Sequence, residues 1–155
     1  MYWSSHNPGV NNGSPFITEE RRSGVKREQA GYIRRHNRNA PFWAISMIVL
    51  GIAGLSTNWI DMGAFWKGYA LDMTGPAWNY ILFRGLFTQW TENRWRKFFT
   101  PARTYLIFIL VCFSIEFAQY LDLYDATFDP WDLLAYVSLL TPVFLLDLWQ
   151  NGANK

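Results

Sequence analysis

Three stretches of the chain carry no Asp, Glu, Lys or Arg: residues 41–60 (PFWAISMIVLGIAGLSTNWI), 104–115 (TYLIFILVCFSI) and 133–146 (LLAYVSLLTPVFLL). About 20 apolar residues in helical form cross a bilayer core of roughly 30 Å. The pattern predicts spans over 41–60, 104–121 and 130–149, with a shorter one over 76–91 that Arg84 interrupts. Residues 1–18 read as loop, punctuated by Asn-Pro-Gly and Asn-Asn-Gly. Residues 19–38 suggest a juxtamembrane helix, and Pro41 suits the first position of the span behind it. The expected fold is all-α: a four-span transmembrane helical bundle over 41–150 behind a polar tail, residues 1–40.

Charge orients the spans. The tail holds seven Lys or Arg, the segment Arg84 to Arg103 holds five, and Lys155 lies at the C-terminus. The two opposite loops, 61–75 and 122–129, hold only Lys67 against Asp61, Asp72, Asp122, Asp125 and Asp129. The positive-inside rule then places both termini in the cytoplasm. The mean hydropathy of −0.05 is an average that the polar tail drags down. Nine Trp mark the chain, and Trp43, Trp59, Trp66, Trp78, Trp90, Trp95, Trp131 and Trp149 fall near span ends. Such a belt suits rings that are apolar with one polar edge. The first apolar run follows 40 polar residues and is read as a permanent span, not a signal peptide. Cys112, the single cysteine, lies inside a span and forms no internal disulfide.

The chemistry on offer lies in polar groups at membrane depth, which are expensive there and by default functional candidates. Glu116 and Gln119 share a helix face at i,i+3, as do Asp129 and Asp132 at the start of the next span. A short connection makes those spans antiparallel neighbours. Glu116, Gln119, Asp129 and Asp132 are therefore expected to converge near the outer leaflet, with Asp72, Asn79 and Tyr80 entering from the same side. Helix gluing and capping are the competing roles: Asp129 before Pro130 is a good N-cap. Arg84 is expected to snorkel toward the basic side, and Asp147 to sit near the inner interface.

The only histidines, His6 and His36, lie in the tail, so no span offers imidazole to a haem or copper. No Ser-His-Asp set, zinc motif or phosphate-cradling glycine loop occurs. The expectation is a non-catalytic protein without cofactor or metal. The basic stretch of the tail is short and diluted by acids, which favours anionic lipid over nucleic acid.

Glu116-Phe-Ala-Gln119, an acidic turn, and then Thr127-Phe128-Asp129-Pro130-Trp131-Asp132-Leu133-Leu134-Ala135 resemble the VanZ-like family. A related family of short, uncharacterised bacterial four-span proteins shares the pattern. The resemblance reaches over about residues 42–148, and its specific part is short. It implies a bacterial inner-membrane protein linked to glycopeptide resistance. Ala126 stands where the family commonly has Arg, and of an Asp-Lys-x-x-His element only Asp72 survives, with Met73 and Pro76 at the other positions.

Two functional expectations follow. One is an accessory or assembly subunit of a larger membrane complex, in contact with lipids and other subunits. The other is a VanZ-like envelope protein that recognises a lipid-linked or amphiphilic molecule through Glu116 and Asp132.

Overall fold

The structure, a computed structural model, describes residues 19–60, 63–123 and 129–152. Expectations for the loop 1–18, for Asp61, for Asp125, Ala126, Thr127 and Phe128, and for Lys155 lie outside those residues. Among the described residues every element is helical: α1 (Glu19–Leu55), α2 (Ala64–Arg84), α3 (Arg94–Phe98), α4 (Pro101–Tyr120) and α5 (Pro130–Asp147). A 3₁₀ turn, Ser56–Asn58, follows α1, and one π-helical turn, Leu148–Gly152, follows α5. The chain divides into two compact units, residues 1–31 and 32–155. In the first unit, residues 21–31 are helical and exposed. The second unit carries the core and both polar clusters described below.

Three helices are long and apolar enough to cross a membrane: α1 through Asn58, α4, and α5 through its π turn. Only three of the four expected spans are found by that measure, because α2 is not among them. Lys67, Asp72 and Arg84 break its apolar run. Its bounds are corrected. The helix starts at Ala64, absorbing most of the expected outer loop 61–75, and ends at Arg84 where the sequence suggested 91. Gly85 stops it. At φ 59° Gly85 is left-handed, its N–H donates to the Leu82 carbonyl (2.9 Å), and the Leu86 N–H donates to Ile81 (3.2 Å). That pair of bonds is a Schellman stop, sealed by contact between residues such as Ile81 and Leu86, both fully buried. Pro41 does not start α1 but lies inside it. Pro101 and Pro130 do occupy first turns, of α4 and α5. The loop expected over 92–103 contains α3, whose first turn Asn93 caps by accepting from the Arg96 N–H.

The partners across the helices fix their directions. Gly51 and Gly54 of α1 lie against Trp78 and Thr74 of α2, so these two run antiparallel. A Cβ at Gly54 would sit 2.5 Å from Thr74 Oγ1, so the glycine permits this close crossing. Tyr136 near the start of α5 meets Glu116 near the end of α4, and Thr141 meets Tyr105, so these two are antiparallel as well. By contrast α2 and α5 run parallel: Tyr69 meets Asp129 at one end, and Tyr80 and Arg84 meet Asp147 at the other.

The core is uneven along this axis. Trp43, Tyr80, Ile81, Leu86 and Leu140 pack tightly at the Arg84 end, with Phe108, Val143 and Phe144 against them. Trp43, expected in an interfacial belt, is a core residue instead. Trp59, Trp95, Trp131 and Trp149 are exposed, as a belt requires. Toward the other end most buried positions are small (Ala70, Thr74, Ala77, Cys112 and Ala135), with Glu116 and Tyr136 the large exceptions.

Candidate functional site

Two buried carboxylates sit at opposite ends of the α2–α5 pair, and their environments differ. Asp147 is fully enclosed. Arg84 Nε donates to its Oδ2 (2.7 Å) and Arg84 Nη2 to its Oδ1 (3.1 Å), a two-pronged ion pair. The Tyr80 hydroxyl also donates to Oδ2 (2.7 Å), and Asn151 Nδ2 to Oδ1 (3.3 Å). Arg84 Nη1 is spent on the Phe99 carbonyl (2.9 Å). Every strong acceptor site of the carboxylate and both faces of the guanidinium fork are thus used. This arrangement corrects two expectations: Arg84 does not snorkel, and Tyr80 does not join the acids of the opposite end. Sequence spacing could not pair residues 63 apart.

Glu116 is as deeply buried, 2% exposed, yet half-satisfied. Tyr136, in the second turn of α5, donates its hydroxyl to Oε1 (2.8 Å), while Oε2 has no hydrogen-bond partner. Asp72 of α2 and Asp132 of α5 are near enough to repel Glu116 and each other electrostatically. Gln119 presents a second unpartnered buried oxygen, Oε1. The structure thus brings together Asp72, Glu116 and Asp132 from three helices, as the spacing suggested. Tyr136 was missed, although it lies i+4 from Asp132 and so on the same helix face. Asn79 turns away, donating to the Gly75 carbonyl of its own helix (3.0 Å).

Asp129 has its own partners. It accepts from the Tyr69 hydroxyl (2.7 Å) and from the Trp131 N–H (3.0 Å), the cap expected of it. The Tyr69 bond and then the Trp131 N–H hold its carboxyl below the usual range. Beside it opens a cavity of about 370 Å³ between α2 and α5, lined by Phe65, Tyr69, Met73, Trp131, Leu134 and Ala135. These residues alternate with Asp72, Asp132 and Tyr136 along the same turns, so the apolar cavity and the acids occupy adjacent faces of one region. Among the described residues no group of His, Cys, Asp and Glu is arranged to hold a metal ion.

His36 was read as a tail residue and is instead buried. Its Nε2 lies 3.0 Å from the Thr88 carbonyl and 3.1 Å from Arg96 Nη1. A neutral ring can donate to the first or accept from the second, not both. Arg96 Nη2 donates to Gly85 O (2.8 Å) and Thr88 Oγ1 (2.9 Å), and its guanidinium lies 4.9 Å from the Trp90 ring centre. His36 precedes the apolar stretch that starts at Pro41. Burial, and then the charge of Arg96, hold its pKa below the ordinary histidine value.

No protein-family model matches the chain, and neither a curated protein nor a solved structure does.

Proposed function

We propose that this protein is a non-catalytic four-span membrane protein that binds the polar head of a lipid-linked or amphiphilic molecule at Glu116, Asp72 and Asp132. The observation that carries this reading is the unpartnered Oε2 of Glu116. A carboxylate buried for structure alone is expected to be saturated, as Asp147 is, because an unmade buried bond is costly. A cation or a multiple hydrogen-bond donor would complete Glu116, and the adjoining apolar cavity would take the chain attached to it. The small buried residues at this end fit the same reading.

The fourth span in this proposal is α2. It runs parallel to α5 between the same two polar clusters, and Arg84 is neutralised by Asp147, so its low hydropathy does not bar it from the membrane. Basic segments at the Arg84 end put that end, and both termini, in the cytoplasm. The resemblance of the α4–α5 segments to the VanZ-like family agrees with a bacterial inner membrane.

Dodecylamine, with dodecanol as its uncharged counterpart, tests the site in detergent solution. Dodecylamine is expected to raise the melting temperature and dodecanol to leave it unchanged. Glu116→Gln should abolish the amine effect with resting stability intact, and Glu116→Leu should cost about 1–2 kcal/mol, the scale of interhelical polar contacts. A silent Gln beside a destabilising Leu refutes ligand binding and leaves a structural acid.

A second reading, an accessory subunit, draws on a shallow groove of Leu110, Val111, Ser114, Ile115 and Ala118 on α4. Ser114 and Ala118 are small and one turn apart, and the Ser114 hydroxyl is satisfied by Leu110 O (2.6 Å). Such a face admits a partner's transmembrane helix closely. A stoichiometric partner after purification in mild detergent supports that reading, and a monodisperse small protein opposes it.

A further inference from the structure

At the basic end a separate cavity of about 360 Å³ is lined by Arg35, Arg38 and Asn39 of α1 with Trp149 and Gln150 of the π turn. We propose that it is a binding site for the phosphodiester headgroup of an anionic phospholipid. Arg35 and Arg38 stand one turn apart on one helix face. They lie one to two turns ahead of Pro41, roughly 4–9 Å along the axis from where the apolar stretch begins. That is headgroup depth, and the exposed ring of Trp149 marks the same level.

The π turn is what completes the cavity. Its extra residue per turn breaks the α5 register after Asp147, and such turns recur at functional sites. Asn151, bonded to Asp147, pins the turn and leaves Gln150 in the lining of the cavity. Among the described residues lining the cavity there is no carboxylate, and Asp147 behind the turn is already neutralised by Arg84. Guanidinium groups match phosphate oxygens in a planar fork, and side-chain amides add N–H donors. Apolar side chains continue the site toward the membrane centre: Phe42 and Ile45 on α1, and Leu145 and Leu146 on α5, are all exposed. That continuation favours a lipid over free phosphate. The site is distinct from the acid cluster, about 20 Å away along α5 at 1.5 Å per residue.

Native mass spectrometry of the full chain released from micelles containing phosphatidylglycerol or phosphatidylcholine tests this. Phosphatidylglycerol should be retained in preference. Arg35→Ala with Arg38→Ala should weaken retention roughly tenfold or more, at about 1 kcal/mol per basic residue near an anionic headgroup. Gln150→Leu should weaken it without a change of charge, and Arg38→Lys should weaken it partly, since the charge stays but the fork is lost. Arg21→Ala with Arg22→Ala should have no effect. Equal retention of both lipids, or equal loss in the Arg21/Arg22 variant, overturns the proposal. Inorganic phosphate that raised the melting temperature of lipid-free protein as much as phosphatidylglycerol does would overturn the lipid assignment in favour of a soluble phosphate. Melting curves of each variant separate loss of the site from loss of the fold.

Discussion

Breaking the Arg84–Asp147 pair should be among the most damaging single changes available to this protein. Asp147→Ala removes acceptors for two Arg84 N–H groups, for Tyr80 and for Asn151, and strands a guanidinium that is 3% exposed. Removing one partner of a buried pair costs about 3–5 kcal/mol, chiefly because the survivor keeps an uncompensated charge. At about 2.1 cal/mol/K of unfolding entropy per residue, a 155-residue chain should then lose about 10–15 °C of melting temperature. Arg84→Met should cost a similar amount, since Asp147 would keep only neutral donors. The double variant, Arg84→Met with Asp147→Leu, should fall far short of the sum. Both charges leave together, and what loses a partner is the Tyr80 hydroxyl, the Asn151 amide and the Phe99 carbonyl, about 1–3 kcal/mol each at most. Thermal melting of the four proteins in one detergent gives the coupling energy, expected to be about 3 kcal/mol or more. Additive losses, or single variants within about 1 kcal/mol of the parent, would show that water reaches the pair and that the reasoning from burial is wrong.

Gly85→Ala should cost about 1–2 kcal/mol for a left-handed residue with a Cβ, and more if Arg96 cannot yield, because that Cβ would lie 3.2 Å from Arg96 Nη2; a melting curve reads the loss. His36 should make stability depend on pH. Its folded pKa lies below the unfolded value of 6.5, so the unfolded chain binds the proton more readily, and stability should be full above that value and decline as pH falls through it; His36→Asn should flatten the decline. For topology, reporters fused at Ser5 and Lys155 should read cytoplasmic and one within 122–127 periplasmic, and a periplasmic N-terminus would overturn the four-span proposal.

Much of this was legible from where charge is absent. The apolar runs located the three candidate spans, in α1, α4 and α5, because hydropathy is a local property. The i,i+3 spacing of Glu116 with Gln119, and of Asp129 with Asp132, pointed to the right end of the right helices. What failed was non-local. Arg84 read as an interruption of a short span because its partner lies 63 residues on, and no helical period connects them. Pro41 read as a start signal because proline favours first turns, yet it is also tolerated within a long helix whose neighbours compensate. His36 read as tail because burial there comes from Thr88, Trp90 and Arg96, which the sequence places at the end of the expected span 76–91 and in the loop after it.

The distance between Arg84 and Asp147 along the chain also sets an order of events during synthesis. At about 5–20 residues per second, a ribosome needs roughly 3–13 s to add the 63 residues that separate them. Throughout that interval α2 holds an unneutralised guanidinium and an apolar run too broken to partition into lipid unaided. In the four-span proposal α2 then waits at the interface or inside the insertion machinery until α5 arrives, and the two parallel helices enter the membrane together. On that reading a truncation before Asp147 should leave Arg84 without its counter-charge and α2 unstable in the membrane.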